Sequence, residues 1–168
     1  MLTLGMQLEN DFEYSFKFMK AKGNFNKLWQ MKSIARQSLK EWLMVADMSP
    51  KMSEICANAC SELIENCIKY SKNNSITAVS IKAKGENVVV ETINTAEKVQ
   101  KDTIIESIDK LNAASDPKHL FAESLLNPVE GKSQLGLMKI LMETKGTIEL
   151  IQEPDEEVVR MKLVMKAE

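Results

Sequence analysis

Phe12-Glu13-Tyr14-Ser15-Phe16-Lys17-Phe18-Met19 alternates aromatic and polar side chains. Successive side chains of a strand point to opposite faces, so this period of two predicts a half-buried strand. Lys22-Gly23-Asn24 breaks the pattern. From Phe25 to about Ala46 the period lengthens, and Leu28, Met31, Ile34, Ala35, Leu39 and Leu43 recur at helical spacing. Ser49-Pro50 opens a second helix, because a serine oxygen caps free N–H groups and proline suits the first helical position. That helix runs to about Lys72, where Lys72-Asn73-Asn74-Ser75 is turn chemistry. Two strands follow, Ile76 to Ala83 and Val88 to Asn94, around the turn Lys84-Gly85-Glu86-Asn87. A helix spans about Glu97 to Ala113, with Ile104, Ile105, Ile108 and Leu111 as its apolar stripe. Asp116-Pro117 restarts a short helix that Asn127-Pro128 stops. Ser133 can cap a helix running to Lys145, which Gly146 ends. Thr147 to Gln152 and Val158 to Met165 form a last hairpin around Glu153-Pro154-Asp155.

Hairpins and helices are thus segregated rather than alternating singly. This predicts one α+β domain over residues 1–168. Its architecture is a two-layer sandwich: a mostly antiparallel mixed sheet with helices on one face. A chain of 168 residues can bury a full core. Lys+Arg 22 against Asp+Glu 24 leaves a net charge of −2, which gives no footprint for nucleic acid or an anionic membrane. No run approaches the ~20 apolar residues of a membrane helix, and Met1 to Met6 lacks the basic start of a signal peptide. The expected compartment is the cytoplasm, with free thiols. Three cysteines and one histidine supply neither a disulfide framework nor a zinc site of usual spacing. The eleven methionines fit core filling and also adaptable binding surfaces.

Candidate chemistry lies in Cys60-Ser61-Glu62-Leu63-Ile64-Glu65-Asn66-Cys67-Ile68-Lys69-Tyr70-Ser71. On a helix, Glu62, Asn66 and Lys69 share one stripe, because offsets of three and four residues stay on one face. Cys56, Cys60, Leu63 and Cys67 gather on the other side, toward the core. Two readings of the polar stripe stand: a solvated helix face, or a magnesium-nucleotide site. In the second, the Asn66 amide oxygen suits Mg²⁺, a hard cation. Glu62, one turn earlier, can activate a water or hydroxyl, and Lys69 can meet a phosphate. Gly131-Lys132-Ser133-Gln134-Leu135-Gly136-Leu137 leads a loop into a helix N-terminus, where exposed N–H groups favour a phosphate. A capped helix with a close-packed Gly136 is the other reading.

At these residues the sequence resembles the GHKL, or histidine-kinase-like, ATPases, and most of all the small anti-sigma-factor serine kinases of bacterial partner-switching systems. Glu62-Leu63-Ile64-Glu65-Asn66-Cys67-Ile68-Lys69 is similar to that family's N box, Glu-Leu-x-x-Asn-Ala-x-Lys. Gln134-Leu135-Gly136-Leu137-Met138-Lys139-Ile140 is similar to its Gly-Leu-Gly-Leu box, and the order of elements fits from about Phe12 to Met165. A leading helix, here containing Arg36, also has its counterpart there. The resemblance implies Glu62 as general base, Asn66 as Mg²⁺ ligand and Lys69 as a phosphate contact. It also implies a nucleotide lid over about residues 95–133, with Lys132, Ser133, Leu135, Gly136 and Leu137 around the phosphates. The bound nucleotide would be ATP or ADP with Mg²⁺. The partner would be a STAS-like antagonist protein or a sigma factor, and a homodimer through the first strand is compatible with the family.

Two elements depart from the family pattern. Its third strand ends in Asp-x-Gly, whose Asp accepts from the adenine amino group; here the stretch is Asn94-Thr95-Ala96. Asn can accept through its oxygen but carries no charge, and Ala96 narrows the backbone's options. The family glycines before Leu135 fall at Lys132 and Gln134. The sequence therefore supports two functions: an ATP·Mg-dependent kinase of a small antagonist protein, or a nucleotide-independent pseudo-kinase that docks a protein. Elsewhere, His119 reads as surface, with no triad partner nearby. Glu153-Pro154-Asp155-Glu156-Glu157 reads as a solvated acidic turn. Trp29 and Trp42 either pack on the sheet or mark a partner surface.

Overall fold

The computed structural model describes residues 12–84, 87–126 and 135–166. The elements run β1 (Phe12–Lys20), α1 (Phe25–Val45), α2 (Pro50–Tyr70), β2 (Ser75–Lys84), β3 (Asn87–Thr95), α3 (Lys98–Ala113), α4 (Pro117–Leu126), α5 (Leu135–Thr144), β4 (Thr147–Ile151) and β5 (Val158–Lys166). The strands form one sheet in the order β1-β2-β3-β5-β4, and every pairing among the described residues is antiparallel. The predicted turn at Gly85-Glu86 and the loop 127–134 lie outside the described residues.

The alternation of β1 does what its pattern requires. Phe12, Tyr14, Phe16 and Phe18 face the helices, while Glu13, Ser15, Lys17 and Met19 are exposed. Register carries that face across the sheet. Phe16 pairs Val79, Val79 pairs Thr92, Thr92 pairs Met161 and Met161 pairs Leu150. The opposite face carries cross-strand ion pairs, Arg160–Glu91 at 2.9 Å and Lys162–Glu149 at 3.0 Å. β1 is an edge strand, as the dimer reading requires, and at the other edge Asn112 Nδ2 donates to the Ile148 carbonyl at 3.3 Å. Covering an edge carbonyl in this way limits further strand pairing.

α2 is the central helix. Ser49 Oγ accepts from the Met52 N–H at 3.3 Å and Pro50 follows, which is the cap that the sequence predicts. Its Leu63, Ile64 and Ile68 are sealed between the sheet and neighbouring helices, each contributing about 1.5–3 kcal/mol by burial. All three thiols are free and buried beside them, as the helical spacing predicts. Trp42 packs on the sheet, 6.3 Å from the Phe12 ring and 5.8 Å from Tyr14. Trp29 instead lies against Phe25 with the Lys32 ammonium 4.3 Å above it.

One helix ending has a different cause from the expected one. The left-handed residue after α5 is Lys145, at φ 48°, and not Gly146. Gly146 is required by space: a Cβ there would meet the Val164 carbonyl at 2.5 Å, where the chain crosses β5. Within the expected lid, α3 is part of the core layer, since Ile108 and Leu111 are 3% exposed each. α4 packs on α5.

Candidate functional site

Two helices from distant parts of the chain meet at Glu62 and Gly136. Glu62 lies midway along α2, and Gly136 lies in the first turn of α5. A Cβ built on Gly136 would stand 2.6 Å from Glu62 Oε2 and 3.5 Å from its Cδ. The carboxylate thus occupies the space that only glycine leaves at the mouth of α5. Both sequence boxes therefore converge on one point, although 74 residues separate them (136 − 62). Leu137, next in α5, is buried at 4% exposure and anchors the helix start. Leu135 begins the helix; Lys132 and Ser133 lie outside the described residues.

Asn66 follows Glu62 by one turn and is 8% exposed. Among the described residues no group hydrogen-bonds its amide. Two oxygen donors one turn apart do not form a metal cage, and no group of three His, Cys, Asp or Glu does so among the described residues. That donor set suits Mg²⁺, which keeps its waters and takes one or two protein oxygens together with substrate phosphates.

Lys69 is placed differently from Glu62 and Asn66. Its ammonium pairs with Glu65 at 2.6 Å and lies 6.0 Å from the Trp29 ring, toward α1. Glu65 also binds Lys32 at 2.7 Å. Burial pulls the Glu65 carboxyl upward, but the Lys32 and Lys69 ammonium groups outweigh it and hold the group below its usual range. The Lys32–Glu65 pair thus fastens α2 to α1, and Lys69 joins it from within α2. Arg36 does the same farther along, binding Glu54 and donating to Asn58 Oδ1 at 2.7 Å.

The end of β3 is stitched to the end of α2. Lys72 N–H donates to the Thr95 carbonyl at 2.9 Å, Ser71 bridges Ala96, and Ala96 N–H donates to the Glu157 carbonyl at 2.9 Å. Ala96 is sealed at 0% exposure, so its methyl fills the place a glycine would leave. The Lys72 ammonium holds Glu157 at 2.7 Å and Glu97 at 3.7 Å, and these carboxylates keep it protonated above the usual lysine range. Asn94 is 5% exposed, and its Oδ1 accepts from the Cys67 thiol at 3.7 Å. Burial pushes the Cys67 pKa up to about 12, so this thiol is a proton donor at neutral pH.

Sequence reasoning missed the Cys67–Asn94 contact and the Lys20 ammonium, which donates to the Lys69 and Ser71 carbonyls at 3.0 and 2.7 Å. Neither has a local signal, because strand order and register create both. His119 is exposed, as read. A groove of about 800 Å³ runs between α3 and the β4–β5 hairpin, but Glu62, Asn66 and Asn94 do not line it.

No protein-family model matches the sequence, and no curated protein matches it. Its fold is similar to that of a chain in the crystal structure of the SiaB-SiaC complex from Pseudomonas aeruginosa. The TM-score is 0.68 at 15% identity, covering 94% of this chain and 90% of that one. A second similarity, to the Acinetobacter baumannii histidine kinase AdeS, has a TM-score of 0.39 at 14% identity and covers 68% of this chain and 47% of that one.

Proposed function

From the premise of a histidine-kinase-like ATPase fold, we propose that this protein binds a purine nucleoside triphosphate with Mg²⁺ and phosphorylates a small protein partner. The observation that carries the reading is the Glu62 carboxylate seated against Gly136 at the opening of α5, with the Asn66 amide one turn beyond. A carboxylate beside a helix N-terminus, where phosphate is favoured, supports this reading. Phosphoryl transfer asks little covalent chemistry of the protein and mostly positioning, which these residues would supply. Asn66 would hold Mg²⁺, which when bound neutralises charge on the phosphates. Glu62 would accept the proton of the attacking hydroxyl.

The partner, by resemblance, is a STAS-like antagonist or a sigma factor; the similar fold from Pseudomonas aeruginosa comes from a complex of two proteins. ATP is the nucleotide that the family resemblance implies. A second reading has its own observation. Sealed Ala96 and the Lys69–Glu65 pair favour a pseudo-kinase that docks a partner without nucleotide.

Calorimetric titration of ATP, with and without Mg²⁺, into the wild type and Asn66→Ala separates the readings. Mg²⁺-dependent heat that the variant loses supports the kinase reading. Absence of heat with folded protein overturns it and favours the docking module.

A further inference from the structure

The groove between α3 and the β4–β5 hairpin has an apolar lining from Ile105 and Ile108 of α3, Leu150 of β4 and Val158 and Val159 of β5. β4 is the edge strand on this side, so half of its backbone groups have no strand partner. Register shows which half. The Glu157 carbonyl accepts from Ala96 N–H on the β3 side. In an antiparallel sheet, successive residues turn their N–H and C=O groups to opposite neighbours. Arg160 and Lys162 therefore turn theirs to β4, where they pair Ile151 and Glu149. Leu150, between those two, points its N–H and C=O away from β5. Ile148 does the same, and its carbonyl is taken by Asn112 at 3.3 Å. Among the described residues nothing bonds the Leu150 N–H or C=O. The groove thus combines an apolar helix face with an open hydrogen-bonding edge.

The groove also carries a sign. Asp109, Glu149, Glu153 and Glu156 line it against Lys101 and Arg160, a balance of −2 (2 − 4). Glu149 and Glu153 are paired, with Lys162 and Arg160. Asp109 and Glu156 are exposed, and no cation pairs with their carboxylates among the described residues. We propose that this groove takes an extended basic and apolar segment of a partner protein, which adds to the sheet as a strand beside β4. Its main chain would bond the Leu150 N–H and C=O. Its side chains alternate, apolar ones toward α3 and basic ones toward the carboxylates. A second copy of this chain is the poorer occupant, because joining two β4 edges about a two-fold axis lays one acidic lining against the other. The proposal does not depend on the nucleotide reading.

The test is NMR of the full chain, titrated with a hexapeptide alternating lysine and valine and with one alternating glutamate and valine. The lysine peptide should shift the Leu150 amide and slow its hydrogen exchange. Exchange at Glu149 and Ile151, already paired to β5, should change little. The glutamate peptide should do neither. Asp109→Lys together with Glu156→Lys, both at exposed positions, should weaken the lysine peptide about 3- to 10-fold, the worth of two exposed ion pairs. Binding that leaves Leu150 exchange unchanged overturns the proposal. So does equal binding of the two peptides, or an affinity that the double variant does not alter. No shift at about 1 mM lysine peptide overturns it as well. Protection of the Leu150 amide that grows with protein concentration, without peptide, assigns the edge to a second copy instead. None of these outcomes bears on nucleotide binding.

Discussion

The proposed site has two ends, built in different ways. At the proposed phosphate end, Glu62 reaches a glycine in another helix. At the proposed base end, Asn94 is nearly buried and Ala96 is sealed, and backbone hydrogen bonds from Lys72 and to Glu157 hold the corner. The first end is a contact between side chain and glycine; the second belongs to the framework. The comparison separates chemistry from architecture. Changes at the phosphate end should cost function with little stability, whereas changes at the base end should cost both.

The largest break in that contrast would come from Glu62→Ala. Phosphate transfer should fall about 10²- to 10⁴-fold, the usual worth of a general base, with nucleotide affinity largely kept. A radiolabel transfer assay beside calorimetry reads both, and undiminished transfer removes Glu62 from the mechanism. Asn66→Ala should weaken Mg²⁺-dependent nucleotide binding about 10- to 100-fold, the range for one charge-assisted contact. Titrations with and without Mg²⁺ should converge in this variant.

Gly136→Ala sharpens the contrast further. Its Cβ would meet the Glu62 carboxylate at 2.6 Å, and that side chain can swing away. Alanine is the better helix former by about 1 kcal/mol, so thermal unfolding should not come earlier. Transfer should nonetheless drop about tenfold, because a misplaced catalytic group costs that much or more. Earlier melting together with full activity would show that the contact is only packing.

A last effect, silent at neutral pH, concerns the wall behind the proposed base end. Burial raises Cys56 and Cys67 to about 12 and Cys60 higher still. In the unfolded chain these thiols ionise near the ordinary thiol value of 9.0. Their contribution is therefore complete below pH 9 and is lost as pH rises from 9 toward 12, by about 1.4 kcal/mol per unit for each thiol. Urea midpoints above pH 9 should decline, and less steeply in Cys67→Ala. An unchanged slope would show that Cys67 is accessible when folded.

Much of this was legible in the sequence, because its causes are local. The period of two in β1, the Ser49-Pro50 cap and the Glu62/Asn66 spacing on α2 each depend on residues within a few positions of one another. They determined the elements, the α+β class and the face of α2 on which the proposed site lies. Only the tertiary structure decided the rest. Strand order brought Asn94 under Cys67, and the packing of α5 on α2 brought Gly136 against Glu62. The approach of α1 set Trp29 beside Lys69 and Lys32 on Glu65, the carboxylate that Lys69 pairs one turn back on its own helix. Gly146 shows the same division: the sequence marks a helix end, but the crossing of β5 is why no side chain fits there. Contacts between residues far apart in the chain depend on how whole elements bury their apolar faces together, and no short stretch of sequence contains that.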